Sequence, residues 1–272
     1  MDDECIEEQA KRGLNSEDWM LREAWAKCMD WTPTAELIER GLEDASIGVR
    51  AMWIERMDWT PTPEQVEDGL TSRYGTIRRT WAERQGFIPT PEQIARGLND
   101  TDGDIRFAWA GRMDFTPTPE QIEMMLKDRI WSVRRACARR MDWTPTPEQV
   151  KMGLRDNDSD VRVAWVERTD FTATLIQAAN GLRDVDDDVR VAWAKRMDFT
   201  PTQEQISNGL ANRHALVRVA WAERMDFTPT PEQITDGLND SREMVRNAWV
   251  RRIAAEQDRL LADEHGILGI PL

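Results

Sequence analysis

TPTPEQVEDGLTSRYGTIRRTWAER, residues 60–84, is the stretch from which the fold follows. Thr62 is a typical helix N-cap, Pro63 suits the first helical position, and Gln65 stands where a capping box places Glu or Gln. A turn follows, and residues 77–84, IRRTWAER, make a second amphipathic segment. The stretch therefore predicts two short helices joined by a turn.

This unit is repeated along the chain without insertions. Its constant period is 28 residues, the separation of Trp25 and Trp53. A tryptophan marks the period at Trp25, Trp53, Trp81, Trp109, Trp165, Trp193, Trp221 and Trp249, and Cys137 fills the remaining slot. An arginine stands three residues before each of these positions, at Arg22, Arg50, Arg78, Arg106, Arg134, Arg162, Arg190, Arg218 and Arg246. One unit is too small to bury its apolar stripe, so stacked neighbours must share a continuous core.

Two further positions of the unit bear on packing. Gly69 either ends the first helix or permits close contact with a neighbour, and we favour close contact. An aromatic residue before each Thr-Pro start is expected to close the gap between units, as at Trp59, Phe115, Trp143, Phe199 and Phe227.

An acid lies six residues before several of the invariant arginines: Asp44, Asp100, Asp128, Asp156, Asp184 and Asp240. This D-x5-R spacing with Val or Ile before the arginine, as in DNDSDVRVAW at residues 156–165, resembles HEAT-like repeats and the leucine-rich-variant class. The resemblance covers residues 4–252 and implies an all-α solenoid in which each such Asp and Arg form a pair in a ladder between units. It implies no particular function, because that fold serves scaffolds, transport factors and some DNA glycosylases.

A second arginine column lies three residues after the tryptophan position, at Arg56, Arg84, Arg112, Arg140, Arg168, Arg196, Arg224 and Arg252. Its expected partners are the acids of the turn between repeats, Asp58, Asp114, Asp142, Asp170, Asp198 and Asp226. Both columns are interpreted as structural.

The predicted architecture is a single α-solenoid domain over residues 1–272, with nine two-helix HEAT-like repeats of this constant period between terminal caps. Residues 253–272 are predicted to cap its C-terminal end with a longer closing helix and an apolar tail, GILGIPL. That tail is either a lid over the last repeat or a docking peptide.

Fifty acidic and 36 basic side chains give a formal net charge of −14, so the average surface repels phosphate and anionic bilayers. Cys5, Cys28 and Cys137 follow no metal-ligand spacing and are interpreted as reduced thiols. No stretch is apolar enough to span a bilayer, and the acidic start does not resemble a signal peptide. We therefore expect a cytoplasmic protein without a membrane partner.

Candidate binding residues lie where repeats depart from one another. Repeat five loses both the glycine and the tryptophan and gains arginines and a tryptophan at other positions, and repeat three likewise gains arginines and a tyrosine. The partner-binding residues predicted from these two repeats are Arg73, Tyr74, Arg79, Arg129, Trp131, Arg135 and Arg139. An exposed tryptophan among arginines is a plausible hot spot. The alternative is that Trp131 fills the space that Cys137 leaves. The residue seven before each tryptophan position also differs in chemistry from repeat to repeat, which suggests contacts tailored to a partner.

Metal binding and catalysis are not predicted. The acidic turns DTDGD, DNDSD and DVDDD invite comparison with calcium loops, but Val161 stands where an EF-hand needs glycine. The sequence has only two histidines, His214 and His265, and neither a glycine-rich phosphate loop nor a G-x-S-x-G motif. We expect no cofactor and no enzymatic activity.

Three functions remain open. The first is a non-enzymatic protein-binding solenoid with an acidic surface, whose partner has a basic surface. A sharper form of it is an inhibitor or DNA mimic acting on a nucleic-acid-binding protein. The second is nucleic-acid binding through the arginine and aromatic patch of repeats three to five, which the net charge disfavours. The third is a structural spacer.

Overall fold

The computed structural model describes residues 6–264, and within them the chain forms 18 helices and no strand. The chain divides into two compact units, Met1–Arg140 and Met141–Leu272. The helices of the first unit are α1 (Ile6–Leu14), α2 (Trp19–Lys27), α3 (Ala35–Leu42), α4 (Ile47–Glu55), α5 (Pro63–Leu70), α6 (Gly75–Glu83), α7 (Pro91–Leu98), α8 (Gly103–Gly111), α9 (Pro119–Leu126) and α10 (Trp131–Arg139). The helices of the second unit are α11 (Pro147–Gly153), α12 (Ser159–Val166), α13 (Leu175–Gly181), α14 (Asp187–Lys195), α15 (Gln203–Leu210), α16 (Ala215–Ala222), α17 (Pro231–Leu238) and α18 (Glu243–Glu264).

In repeats three to nine the first helix begins at a capping box. At α5, the amide of Gln65 donates to Thr62 Oγ1 at 3.2 Å and the amide of Thr62 donates to Gln65 Oε1 at 2.9 Å. The same reciprocal pair starts the helices after Thr90, Thr118, Thr146, Thr174, Thr202 and Thr230. The predicted start signal is confirmed, and it also operates at two threonines that no proline follows.

Within each unit the helices form two layers. The second helices of successive repeats pack directly on one another, as α2, α4, α6, α8 and α10 do in the first unit and α12, α14, α16 and α18 do in the second. Each first helix packs against the second helix of its own repeat. The core lies between the layers and contains the buried tryptophans of the period.

The glycine of the first helix makes room for the tryptophan of the second. A Cβ placed on Gly97 would lie 2.1 Å from Trp109 Nε1, so a side chain there must displace the indole. Repeat five changes both partners together. Its glycine position is Met125 and its tryptophan position is Cys137, and both are buried. The expected close contact is confirmed, and the exchange of volume in repeat five keeps its core filled.

These observations confirm an all-α solenoid of two-helix repeats. The second helix of the last repeat, α18, is 22 residues long and continues past Arg252 to Glu264. That this extension caps the array stays a prediction. The single domain over residues 1–272 stays a prediction. The apolar tail, His265 and Cys5 lie outside the described residues. None of the helices within residues 6–264 has the length and apolar character needed to cross a bilayer.

Candidate functional site

The first arginine column joins repeats one, three, four, six and eight to the repeat that follows each of them. Arg106 donates from Nε and Nη2 to the two carboxylate oxygens of Asp128 at 2.6 and 2.9 Å, and from Nη1 to the backbone carbonyl of Asp100 at 2.7 Å. Asp100, six residues before Arg106, thus contributes only its backbone carbonyl, whereas the carboxylate partner, that of Asp128, comes from the following repeat. The same pairing is found for Arg22 with Asp44, Arg78 with Asp100, Arg162 with Asp184, and Arg218 with Asp240.

This arrangement corrects the pairing expected from the spacing. The spacing predicts that each aspartate pairs with the arginine six residues after it. In the structure the carboxylate of Asp128 instead accepts from Arg106, 22 residues before it. The hydrogen bond to Asp128 raises the pKa of Arg106 above its ordinary value, and burial opposes that rise. The ladder between repeats therefore exists, and its arginines are already paired.

The second column is buried more deeply. Arg112 is 3% exposed and donates from Nη1 to the carbonyls of Ala82 and Arg84, both at 2.8 Å. Its Nε donates to Asp114 Oδ1 at 3.0 Å, and its guanidinium lies 4.6 Å from the ring of Phe87. The predicted Asp partner two residues later is confirmed here and for Arg56, Arg168, Arg196 and Arg224. The carbonyls of the preceding repeat could not be found from side-chain identities.

The predicted residues of repeat three lie at the start of α6 and on it. Tyr74 is the N-cap residue of α6, and the guanidinium groups of Arg73 and Arg50 lie 4.6 and 4.9 Å from the centre of its ring. A hydrogen bond from Arg73 is the largest cause of the lowered pKa of Tyr74. Arg79 is exposed and forms an ion pair with Glu83 at 3.4 Å.

The predicted residues of repeat five extend from Arg129, just before α10, to Arg139, its last residue. Trp131 is 41% exposed, and the guanidinium of Arg135 lies 5.9 Å from its ring centre. Arg129 and Arg139 are exposed. The alternative in which Trp131 fills the space beside the buried Cys137 is wrong, because Trp131 faces solvent.

The structure does not bring the two predicted groups together. Helix α8 packs between α6 and α10. The assignment of all seven residues to partner binding stays a prediction.

The row of residues seven before the tryptophan position has a structural explanation in four repeats. Asp18, Asp102, Asp158 and Asp186 are N-caps, and each carboxylate accepts from a backbone amide in the first turn of its helix. The acidic turns are thus used to start helices. In the part of the chain that the structure describes, no group of three or more His, Cys, Asp or Glu side chains is placed to hold a metal ion.

A groove with a volume of about 770 Å³ runs over the solvent-exposed face of α12 and α14 and the turns that follow them. Val163, Val191 and Met197 contribute apolar surface to its lining. The exposed carboxylates that line it belong to Asp160, Glu167 and Asp188, together with the paired Asp198. The groove therefore offers apolar and acidic surface side by side.

Sequence reasoning missed this groove because it followed the wrong row. The outer face of the second helices is set by the residue two before the tryptophan position. That row reads Arg79, Phe107 and Arg135 in repeats three to five, and Val163, Val191 and Val219 in repeats six to eight. In this row, repeats three to five, which carry two arginines, differ from repeats six to eight, which carry only valine.

Comparison with known proteins gives the fold only. No protein-family model matches the chain, and no curated protein matches it. A solved structure described as a leucine-rich repeat variant with a novel repetitive structural motif is similar, with a TM-score of 0.53 and 23% identity, over 80% of this chain and 81% of that one. The chain is a helical tandem-repeat protein of solenoid type.

Proposed function

We propose that the chain is a non-enzymatic protein-binding repeat protein, and that the groove over α12 and α14 holds a basic amphipathic segment of its partner. The supporting observation is the combination of aliphatic and acidic side chains in one groove. Solenoid folds suit such binding because neighbouring repeats present one extended surface.

The charges in the groove favour a basic partner. Asp160, Glu167 and Asp188 are exposed, whereas Arg168 and Arg196 are held by their own second-column carboxylates. The exposed Lys195 also lines the groove and offsets one of these charges, so the groove keeps an excess of negative charge. The net charge of −14 acts in the same direction, since it attracts a cationic partner over a longer range.

The apolar lining favours a partner with an apolar face. Val163 and Val191 are half-buried, and Met197 is 56% exposed. Removal of such side chains from water favours association by about 25 cal/mol per Å² before the entropy cost of binding is subtracted. Methionine also adapts to irregular partners. An amphipathic helix laid into a groove uses both contributions. Nucleic-acid-binding proteins often carry basic segments, so inhibition of such a protein belongs to this proposal.

The test uses a fluorescent helical peptide with lysines on one face and leucines on the other. Fluorescence anisotropy measures its affinity for the full chain, for the variant Asp160→Asn, Glu167→Gln, Asp188→Asn, and for Val191→Asp. We expect the triple variant to bind roughly tenfold more weakly, since three exposed ion pairs contribute about 1.5 kcal/mol together.

The matched control is Glu64→Gln, Glu92→Gln, Glu148→Gln, which changes the net charge equally at exposed positions of first helices. Its binding is expected to weaken much less. Equal losses in both triple variants, or equal binding of a scrambled peptide of the same composition, would show that only net charge matters and would overturn the groove.

A second candidate function rests on the exposure of Trp131. The exposed ring of Trp131, with Arg135 beside it, can stack on an unpaired base, while Arg129 before the helix and Arg139 at its end contact phosphates. A labelled single-stranded oligonucleotide in the same assay tests this. Binding that weakens in Trp131→Ala and falls with added salt supports it, and the absence of binding to the wild-type chain at low salt removes it.

A further inference from the structure

Arg84 differs from its equivalents in the second arginine column. Most repeats have an aspartate two residues after this arginine, as Arg112 has Asp114, whereas repeat three has Gly86 there. Repeat three therefore lacks the equivalent of the Asp114 carboxylate, which accepts from Arg112 at 3.0 and 2.5 Å. Even Arg252, which is followed by Ile253 and Ala254, donates to the carboxylate of Glu256 at 2.9 Å.

The side chain of Arg84 keeps its other contacts. Its Nη1 donates to the carbonyls of Ile54 and Arg56, and its Nη2 donates to the carbonyl of Trp59 at 2.8 Å. Its guanidinium lies 4.3 Å from the ring centre of Trp59. The group is therefore fixed in the same position as its equivalents.

The Nε and Nη2 edge of Arg84 has no carboxylate partner among the described residues. Arg84 is 4% exposed, and its Nε is buried without a hydrogen-bond acceptor. Nη2 has a second N–H beyond the one given to Trp59. In Arg112, Nε and Nη2 are the two atoms that donate to the carboxylate of Asp114.

The turn at Gly86 controls access to this edge. Arg84 Nε is buried, so a carboxylate reaches it only when this turn moves. Gly86 is exposed with a φ of 94°, and a Cβ there would meet only the terminal methyl group of Met57, at 3.6 Å. In repeat four the paired Asp114 is 28% exposed, so a carboxylate held by this edge reaches solvent. Burial lowers the pKa of Arg84, and the charge of Asp58, which is paired with Arg56, acts to raise it.

We propose that the Nε and Nη2 edge of Arg84, left without its aspartate by Gly86, is a binding site for an external carboxylate group. The geometry matches the bidentate pairing that arginine forms with carboxylates. The carboxylate belongs either to a free small acid or to an Asp or Glu side chain of a partner. The site is independent of the groove over α12 and α14.

The first measurement is the Nε–Hε resonance of Arg84 in the full chain during titration with sodium acetate, with sodium chloride added to hold ionic strength constant. We expect a saturable shift of Arg84, and none of Arg112, whose Nε already has its acceptor. A capped Gly-Asp-Gly peptide is the second probe. Binding of acetate alone assigns the site to small acids, and binding of the peptide as well extends it to partner side chains.

Two reciprocal variants decide the assignment. Gln85→Met with Gly86→Asp restores the sequence of repeat four and should abolish the acetate response. The turn must then adopt the negative φ of repeat four, because a side chain is strained at the φ of 94° that Gly86 has. Met113→Gln with Asp114→Gly should transfer an acetate response to Arg112. An Arg84 resonance indifferent to acetate in the wild-type chain, or a response that persists in the restored variant, overturns the proposal.

Discussion

The glycine of each first helix is required because an indole occupies the space of its side chain. The contact recurs in the described repeats that keep the pair, with a Cβ on the glycine falling 1.8–2.1 Å from the nearest atom of the tryptophan ring, except at Gly41, where that distance is 2.3 Å. Repeat five loses both residues together. At this scale one methyl group decides whether two helices can approach.

Gly97→Ala is expected to destabilise the chain by about 1–3 kcal/mol, since the added methyl must push Trp109 out of place. Urea unfolding followed by tryptophan fluorescence measures the loss. Gly111→Ala is the matched control, because Gly111 lies on α8 with nothing within 4 Å of its Cβ. Helix propensity alone predicts that the control is neutral or stabilised by up to about 1 kcal/mol, and equal losses would contradict the steric explanation.

Between elements, the carboxylate and arginine of the first column tie one second helix to the turn before the next. Arg218 donates to Asp240 at 2.7 and 2.8 Å, and both side chains are 13% exposed. The hydrogen bond from Arg218 is the largest cause of the lowered pKa of Asp240. The folded state therefore favours the ionised carboxylate.

Asp240→Asn is expected to cost about 1–3 kcal/mol at pH 7, because it removes the charge from a bidentate pair. Since the folded pKa lies below the unfolded value of about 3.9, the stabilisation is present above that value and is lost as the pH falls through the folded pKa. The difference between wild type and variant should then shrink below about pH 4. Urea unfolding at pH 7 and near pH 3 checks this.

The control for this change is Asp236→Asn, at an exposed position of α17. It should leave stability nearly unchanged at either pH. A wild-type advantage over Asp240→Asn that persists undiminished near pH 3 would mean that the lost interaction is not the ionised pair.

For the whole molecule, the strict period makes each repeat interchangeable in its contacts with its neighbours. The acid of each ladder pair lies 22 residues after its arginine. Removal of one full repeat therefore brings in the acid of the following repeat at the same separation. In a chain that lacks residues 89–116, Arg78 would meet Asp128 in place of Asp100.

Deletion of residues 89–116 is therefore expected to leave a folded chain with unchanged helicity per residue, measured by circular dichroism, and with a cooperative thermal transition. Deletion of residues 89–102, half a repeat, is the control. It places a second helix where a first helix belongs and should lose cooperative unfolding. Similar behaviour of the two deletions would show that the period does not govern the packing.

Much of the fold was predictable because its signals are local. The N-cap at Thr62 and the box with Gln65 act within one turn of helix, and the recurrence of tryptophan requires only counting. The candidate groove was not predictable in this way. Val163 and Val191 are separate aliphatic residues in the sequence, and they share a groove only because α12 packs beside α14.

The sequence by itself determined the two-helix unit, its strict period and the residue types that each unit needs. Only the tertiary structure decided which repeat supplies each partner. Every unit carries both an aspartate position and an arginine position, so the period is equally compatible with a partner in the same repeat and a partner in the next. Likewise, the exposure of Trp131 and the lack of an acceptor for the buried Nε of Arg84 depend on how neighbouring helices pack. A periodic sequence specifies the contacts that recur, whereas burial is a property of the packed neighbours.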